Sequence, residues 1–454
     1  MNEEAREQTT AAAVTAATRL PGFLVQCDWD QACKEEKSLF WISYHPPTVD
    51  APTLHGTVLN AKKGKELSCE QGFAVSLQKQ KKQLSLTDPQ SHHRAVMQAP
   101  THAFAHFHSK RAVYSLDLSP TGDLGVSGDS NGSIRVWQAN DGILRRDLQG
   151  HVGDVNTLKW FPSGKVVLSG SSDYQLKIWD VLRGECGATL KGHAGGILGC
   201  GIVDRGRNVV SCSRDSTARL WDVSTQSTIA IFGKEATSKA GPANDCCLQQ
   251  HPVASGSPSA DEVPAMAANE VGTEGKLLIV AHEKAIVNGF DLRNRTCLFS
   301  LPGSSAFNCC SMLGNTIIAG AHNGEIYCWD VRRLDHPRLC VQRSLSPIND
   351  VCFVLDNIAD PSTTSTYSST SALGGEERIW AASNEGLFFS VDLSQHGENA
   401  MRQQQEQELP STTSEPQRTF TGPDFEPITC IAVRADFAFS ACRDGTVRRY
   451  KVSF

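Results

Sequence analysis

Serine, histidine and aspartate recur together in this sequence in a way that an acyl-transfer enzyme could use. The first trio is His151, Ser169 and Asp173, and the second, 42 residues later, is His193, Ser211 and Asp215. A hydrolase would use the serine as nucleophile and the histidine as its base. Neither serine lies in a GxSxG turn, and a trio that recurs at a fixed period is typical of a structural hydrogen-bond network. We therefore expect no catalysis from these residues.

The 16 cysteines are the second group that could do chemistry, as zinc ligands or as disulfides. No two of them are three residues apart, so the CxxC spacing of zinc and redox sites is absent. The first 20 residues lack a secretory signal pattern, and no run approaches the roughly 18 apolar residues of a membrane span. We expect reduced, packed thiols in a cytoplasmic protein that could also enter the nucleus, with no cofactor, metal or membrane partner.

Charge and composition argue against further classes. The chain has 43 basic and 49 acidic residues, a net charge of −6, whereas a nucleic-acid binder would carry a basic patch. The glycines between residues 56 and 64 have the wrong spacing for a phosphate-binding P-loop, so we expect no ATP binding. The apolar fraction of 40% is enough to bury a sizeable core. We expect a monomeric protein that does not bind nucleic acid.

A repeat of 42 residues organises the elements that must position these side chains. Trp137, Trp179 and Trp221 stand in register at the ends of three consecutive repeats, and Gly-His pairs at 150–151 and 192–193 keep the same period. This GH…WD pattern is the signature of the WD40 repeat, in which each unit forms one four-stranded blade of a β-propeller. The repeat therefore predicts an all-β fold.

The two trios complete a hydrogen-bonded tetrad with the repeat tryptophan. In such a tetrad the aspartate accepts from the histidine ring, the histidine contacts the serine, and the serine accepts from the indole N–H. The predicted tetrads are His151, Ser169, Asp173 and Trp179, and His193, Ser211, Asp215 and Trp221.

Weaker repeats extend the propeller to the end of the sequence. They lie at 289–292, 326–330, 389–392 and 440–450, and together with the regular repeats they predict seven blades over residues 101–454. Polar segments at about 249–274, 357–376 and 394–423 read as insert loops. The sequence ends soon after the third strand of the last blade, so residues 103–107 are expected to supply its outer strand.

The region before the propeller divides in two. Residues 1–19 are rich in alanine and charge and are predicted to be disordered, whereas residues 20–100 alternate apolar and polar residues as β-strands do. We expect a small β-rich N-terminal module there.

Several runs beyond the generic repeat resemble the proteasomal ATPase-associated factor family. These runs are 43–47, 195–198, 202–211, 270–274, 306–310 and 442–450. The resemblance covers most of the chain from about residue 20, and the three insertions depart from it. It implies a non-enzymatic chaperone of 19S regulatory-particle assembly, which binds the C-terminal domain of a proteasomal ATPase subunit of the 19S base through the propeller face.

Partner-binding residues are predicted from their position in the blade. The residue before the tetrad aspartate, or before its asparagine replacement, opens onto the narrow face, and residues near the start of a first strand face the same rim. The candidates are Ser172, Arg214, His322, Arg443, Asp154 and Asp350. Arginine is a favoured interface anchor, so Arg214 and Arg443 lead; the alternative is that they are surface arginines in local salt bridges.

A different function remains open from a four-residue motif. The run Trp329-Asp330-Val331-Arg332 matches the WDxR signature of WD40 substrate receptors that dock on the adaptor of a cullin–RING ubiquitin ligase. Because a WD40 repeat already supplies the first two residues, the match is weak. Capture of that adaptor in place of proteasome subunits would favour this alternative.

Overall fold

Seven antiparallel blades of four strands each form a closed β-propeller, and strands of the N-terminal region extend the sheets of blades five and six. This computed structural model describes residues 17–48, 51–233, 240–250, 269–355, 377–393, 417–434 and 436–452. The first strands of neighbouring blades pack side by side, and the first strand of blade seven packs against that of blade one. The predicted fold class is confirmed.

The blades follow one another along the chain, and each runs from the central axis outward. Blade one comprises Val113–Leu118, Leu124–Asp129, Ile134–Gln138 and Leu144–Leu148; blade two, Val155–Trp160, Val166–Ser171, Gln175–Asp180 and Glu185–Lys191; blade three, Ile197–Val203, Asn208–Ser213, Ala218–Asp222 and Ser227–Phe232; blade four, Ala243–Gln250, Lys276–His282, Ile286–Asp291 and Cys297–Pro302. Blade five comprises Phe307–Leu313, Thr316–Ala321, Glu325–Asp330 and Leu339–Gln342; blade six, Ile348–Leu355, Glu377–Ser383, Phe388–Asp392 and Gln417–Phe420; blade seven, Ile428–Arg434, Phe437–Cys442, Val447–Lys451 and His102–Phe104.

The repeat tryptophans lie in the cores between blades. Trp137, Trp179 and Trp221 on the third strands are each at most 1% exposed, and burying a large aromatic side chain stabilises a fold by roughly 2–3 kcal/mol. A Cβ added at Gly125 would lie 2.2 Å from the Trp137 ring, so this position admits only glycine unless the indole moves. The 42-residue period therefore reflects one buried tryptophan in each regular blade.

The ring closes with a strand from before the first repeat. His102–Phe104 pairs antiparallel with Val447–Arg449 of blade seven, and the Thr101 N–H donates to the Arg449 carbonyl at 2.7 Å. Phe107 lies beyond the pairing but is buried, with its ring stacked 5.3 Å from that of Trp137. The closing strand is thus present and ends at Phe104, short of the predicted residue 107.

The N-terminal region forms a second, smaller β-structure that is continuous with the propeller. Its first sheet comprises Gly22–Val25, Ser38–His45, Leu54–Asn60 and Leu67–Cys69, with a short helix at Trp29–Ala32. The strands Ala74–Gln78, Gln83–Thr87 and Arg94–Gln98 follow, with the 3-10 turn Lys79–Lys81 between the first two. Arg94–Gln98 lies parallel to Gln417–Phe420, so blade six becomes a seven-stranded sheet.

Three predicted boundaries need correction. Thr18–Arg19 pairs in parallel with Val341 and Gln342 of blade five, so ordered structure starts before residue 20. The segment predicted as a loop at 394–423 contains the outer strand of blade six, Gln417–Phe420. The segment predicted as a loop at 249–274 contains a buried residue, since Glu270 is only 2% exposed. Residues 1–16, 251–268, 357–376 and 394–416 lie outside the described residues.

All 16 cysteines are free thiols. No helix in the described ranges is long and apolar enough to cross a membrane.

Candidate protein-binding surface

The two predicted tetrads are assembled at the edge of the ring where the loops between blades lie. In blade two, His151 Nδ1 lies 2.7 Å from Asp173 Oδ2, and His151 Nε2 lies 2.7 Å from Ser169 Oγ, which accepts from the Trp179 indole at 2.8 Å. In blade three the corresponding distances among His193, Asp215, Ser211 and Trp221 are 2.7, 2.7 and 2.8 Å. We call this edge the upper edge; it also carries the turns between second and third strands.

The tetrad carboxylates are held ionised by their partners. Burial alone would raise the pKa of Asp215, but hydrogen bonds from His193, Thr217 and the Ala194 N–H outweigh it and lower that pKa below the usual range. The pKa of Asp173 is lowered for the same reasons, with His151 as the principal hydrogen-bond donor. Each carboxylate therefore fixes a histidine and a piece of upper-edge backbone.

Access to the histidine is closed in these networks. The side chains of His151 and His193 are 0% exposed. Each ring nitrogen is already engaged with the aspartate or the serine, and each serine hydroxyl also accepts from an indole. A substrate carbonyl would have no route to the serine, so the arrangement serves structure.

A third tetrad in blade one was missed by the sequence analysis. His108 contacts Asp129 at 3.1 Å and Ser127 at 2.7 Å, and Ser127 accepts from the Trp137 indole at 3.1 Å. Ser127 and Trp137 keep the 42-residue period, but the histidine and the aspartate fall one and two residues before their expected positions. A search that allowed short slips around the serine–tryptophan pair would have found it.

Blades four, five and seven stabilise the same edge with other pairs. Asp444 of blade seven accepts from Arg448 at 2.5 Å, and in blade five Tyr327 donates to Glu325 at 2.7 Å. In blade four Asn288 lies 3.2 Å from His282. These substitutions explain why the repeat signature fades after residue 222.

Five of the six predicted partner-binding residues lie on or beside the upper edge. Arg214, His322 and Arg443 are exposed, whereas Ser172 and Asp154 are partly buried. The Ser172 N–H donates to the Asp154 carbonyl at 2.9 Å, which joins the turn of blade two to the loop before its first strand. Arg443 also lines the mouth of the central cavity.

Asp350 does not lie at the rim, and its prediction as a rim residue needs correction. It is the third residue of its strand, pairs with Ala382, and accepts the Ile431 N–H of blade seven at 2.8 Å. Burial raises its pKa. The sequence analysis grouped Asp350 with Asp154 because both lie near the start of a first strand. Asp350, however, lies two positions into its strand and points into the channel.

The central channel encloses a cavity of about 970 Å³ lined by the first strands of all seven blades. Two further carboxylates join neighbouring blades there, as Asp117 accepts the Trp160 N–H at 2.7 Å and Asp245 the Cys310 N–H at 2.9 Å. Burial raises the pKa of Asp245 to about 7. Burial would lower the pKa of Lys159, but the nearby charge of Asp117 raises it above its ordinary value.

The charged channel is not a metal centre in the part of the chain that the structure covers. Among the described residues, no group of three His, Cys, Asp or Glu side chains could hold a metal ion. Cys247, Cys310 and Cys352 line the same cavity, and burial raises the pKa of each thiol.

The N-terminal region covers the upper edge over blades five to seven. The contacts are Arg343 Nη2 to the Phe23 carbonyl at 2.7 Å, the Trp29 indole to Thr421 Oγ1 at 2.9 Å, Cys27 Sγ to Asp424 Oδ1 at 3.3 Å, and a stack of Trp41 on Phe425 with centroids 6.0 Å apart. Residues 343, 421, 424 and 425 belong to the loops that precede the first strands of blades six and seven. None of these contacts reaches blades one to four.

The WDxR arginine lies at the opposite edge of blade five. Arg332 is 64% exposed and its guanidinium pairs with Asp330 through bonds of 2.9 and 2.6 Å. The motif thus forms a local ion pair within the turn after its strand.

Comparison with known proteins agrees with this architecture. The family model described as "WD domain, G-beta repeat" matches residues 99–138, 142–180 and 184–222. The chain is 39% identical over 434 residues to a human protein, "Proteasomal ATPase-associated factor 1", covering 94% of this chain and 98% of the relative. It is 40% identical over 434 residues to the Bos taurus protein of the same name, with the same coverage. A Dictyostelium discoideum relative, "Probable proteasomal ATPase-associated factor 1", is 36% identical over 448 residues, covering 95% of this chain and 96% of the relative. At such identity along nearly its whole length, this seven-bladed chain belongs to the proteasomal ATPase-associated factor 1 family.

Proposed function

We propose that this protein is a non-enzymatic assembly factor that binds the C-terminal domain of a proteasomal ATPase subunit. It would hold that subunit during assembly of the 19S regulatory particle, acting as a monomer in the cytoplasm. The observation that carries the proposal is the match, over 94% of the chain, to relatives whose name associates them with proteasomal ATPases. Both the N-terminal region and the propeller lie within that match.

The geometry of the upper edge supports a binding role. Three tetrads fix the backbone of its loops in blades one to three, so these loops have little conformational freedom to lose on binding. Arg214, His322 and Arg443 are exposed there. An exposed surface that spans several blades is suited to a folded protein domain, which is a large partner, better than to a small substrate.

A non-enzymatic role is supported by the state of the reactive groups. The Ser–His–Asp trios have buried histidines whose ring nitrogens are both engaged. The channel thiols have raised pKa values, so they are poor nucleophiles at neutral pH.

Affinity capture of the tagged protein from cytosol, with mass spectrometry of the bound proteins, tests the proposal. We expect proteasomal ATPase subunits to be recovered without core-particle subunits. Substituting Arg332→Ala should leave this recovery unchanged, because that side chain pairs with Asp330 at the opposite edge. Recovery of a cullin–RING adaptor that is lost in Arg332→Ala, with no ATPase subunit, would replace the proposal with a ligase-receptor function.

A further inference from the structure

Blade two displays two exposed side chains, Val152 and Tyr174, on neighbouring segments of the upper edge. Val152 is 91% exposed and Tyr174 is 50% exposed. Val152 lies in the loop before the first strand and Tyr174 in the turn between the second and third strands. A Cβ added at Gly153 would lie 3.2 Å from the Ser172 side chain and from the Asp173 nitrogen, so loop and turn are in contact.

Tyr174 stands where the backbone favours glycine. The third residue after the second strand has a positive φ in all seven blades. Four of these residues are glycine: Gly132, Gly324, Gly386 and Gly445. Tyr174 adopts φ 68° at this position, a left-handed conformation that disfavours a bulky side chain. Folding therefore gives no reason for a tyrosine here.

The corresponding turns of blades one and five leave no room for a side chain at this position. At Gly132 a Cβ would lie 2.3 Å from the His151 carbonyl oxygen, and at Gly324 it would lie 2.1 Å from that of Ser344. In blade two this position carries Tyr174, which is 50% exposed and makes no ring contact with the described residues. Ser216 and Ala285 also adopt this conformation in blades three and four, but Tyr174 alone places an aromatic side chain at the position, where it is exposed to a binding partner.

The tetrad holds both apolar residues in place. Asp173 accepts the Val152 N–H at 3.2 Å and the Gln175 N–H at 3.0 Å, so one carboxylate fixes the loop and the turn. The Tyr174 N–H donates to the Ser171 carbonyl at 3.2 Å. An aromatic side chain on so rigid a turn loses little entropy when a partner covers it.

A positive charge adjoins these residues in blade three. The Arg214 N–H donates to the Gly196 carbonyl at 2.9 Å, and Gly196 approaches the Ser172 side chain, with an added Cβ at 3.8 Å from Ser172 Oγ. Arg214 is exposed and forms no ion pair with any described acidic residue. The nearest tetrad carboxylate, Asp215, is already engaged by His193 and Thr217. A second acidic residue, Asp154, lies in the same loop of blade two as Val152.

The contacts of the described part of the N-terminal region, residues 17–48 and 51–100, lie on another part of the upper edge. That region contacts the loops before blades six and seven, at Arg343, Thr421, Asp424 and Phe425. Blades two and three lie on the far side of the ring from those contacts.

We propose that Val152, Tyr174 and Arg214 form the docking surface for the ATPase subunit, and that the subunit presents an apolar side chain flanked by a carboxylate. The inference rests on the proposed function and adds where, and by what chemistry, the partner binds. Aromatic and arginine side chains are the residues most often found to dominate interface energies. The apolar pair would bury the partner's side chain, and Arg214 would pair with its carboxylate.

Quantitative binding of the full chain to purified proteasomal ATPase subunits tests this surface. Tyr174→Gly and Arg214→Glu should each raise Kd at least tenfold for the subunit that the wild type binds. Tyr174→Gly should melt no lower than the wild type, because glycine suits the left-handed turn, so a loss of binding cannot come from unfolding. The matched controls are Leu182→Ser and Arg183→Glu, which are exposed at the opposite edge of blade two and should leave Kd unchanged.

Each outcome decides one of the two proposals. Weaker binding by the Tyr174 and Arg214 variants with unchanged controls supports the surface. Wild-type binding that both variants retain overturns the surface while the proposed function stands. If the wild type binds no ATPase subunit, the proposed function fails and the inference about its partner fails with it.

Discussion

At the scale of single residues, the sequence reveals a side chain's partners where the repeat is regular. His151 and His193 could be assigned to their tetrads because all four landmarks keep one period, whereas His108 and Asp129 form the same network one and two residues out of register. A loop can absorb such a slip without moving the side chain. Tyr174 and Val152 were missed for another reason: their significance lies in exposure and backbone angle, which a residue pattern does not carry.

Removing a tetrad carboxylate should destabilise the fold. Asp215→Ala leaves His193, the Ala194 N–H and Thr217 without their acceptor. We expect a loss of about 1–3 kcal/mol in the free energy of unfolding, the usual cost of orphaned buried polar groups. Urea denaturation of the purified variant measures it.

The control for this variant is an exposed aspartate of the same blade. Asp204 is 48% exposed and pairs with Lys276 at 2.7 Å, so Asp204→Ala should cost under about 1 kcal/mol. Equal stability of the two variants would show that the Asp215 network does not stabilise the blade.

At the scale of elements, local patterns predicted most strands but not every pairing. The closing strand could be inferred because blade seven lacks an outer strand in sequence. The parallel pairing of Arg94–Gln98 with Gln417–Phe420 joins segments more than 300 residues apart, and no local pattern encodes it. The sequence analysis missed the strand Gln417–Phe420 because it lies in a polar segment, and four residues change the average composition of that segment very little.

Removing the closing strand should weaken the whole ring. Deletion of residues 101–108 removes the outer strand of blade seven, the buried rings of Phe104 and Phe107, and the tetrad histidine His108. We expect a large fall in Tm, because a propeller that loses closure exposes a strand edge and two blade cores. Differential scanning calorimetry gives the value.

Trimming residues 1–16 is the matched truncation. It leaves every described strand intact, including Thr18–Arg19, so Tm should stay at the wild-type value. A closure-deleted protein that melts with the trimmed one would refute the role of the strand.

At the scale of the whole molecule, the ring is held together at its axis as well as at its rim. Asp117, Asp245 and Asp350 each accept a backbone N–H from the next blade around a shared cavity. The sequence could predict seven blades from the repeat, but not this arrangement, because these residues belong to no motif and meet only when the ring has closed. This arrangement places three carboxylates and one lysine together in a confined space.

The buried carboxylates make the stability of the ring depend on pH, and the sign of that dependence can be predicted. Burial raises the pKa of Asp245 to about 7, whereas an aspartate in an unfolded chain titrates near pH 4. Between these values the folded protein binds the additional proton, so the free energy of unfolding should fall as the pH rises from about 4 to above 7.

Asp245→Asn keeps an acceptor for the Cys310 N–H but does not ionise. Relative to the wild type, this variant should therefore gain about 1–4 kcal/mol between pH 5 and pH 8. Urea denaturation of both proteins across this range measures the gain. Parallel pH profiles would show that the pKa of Asp245 in the folded protein does not lie in this range.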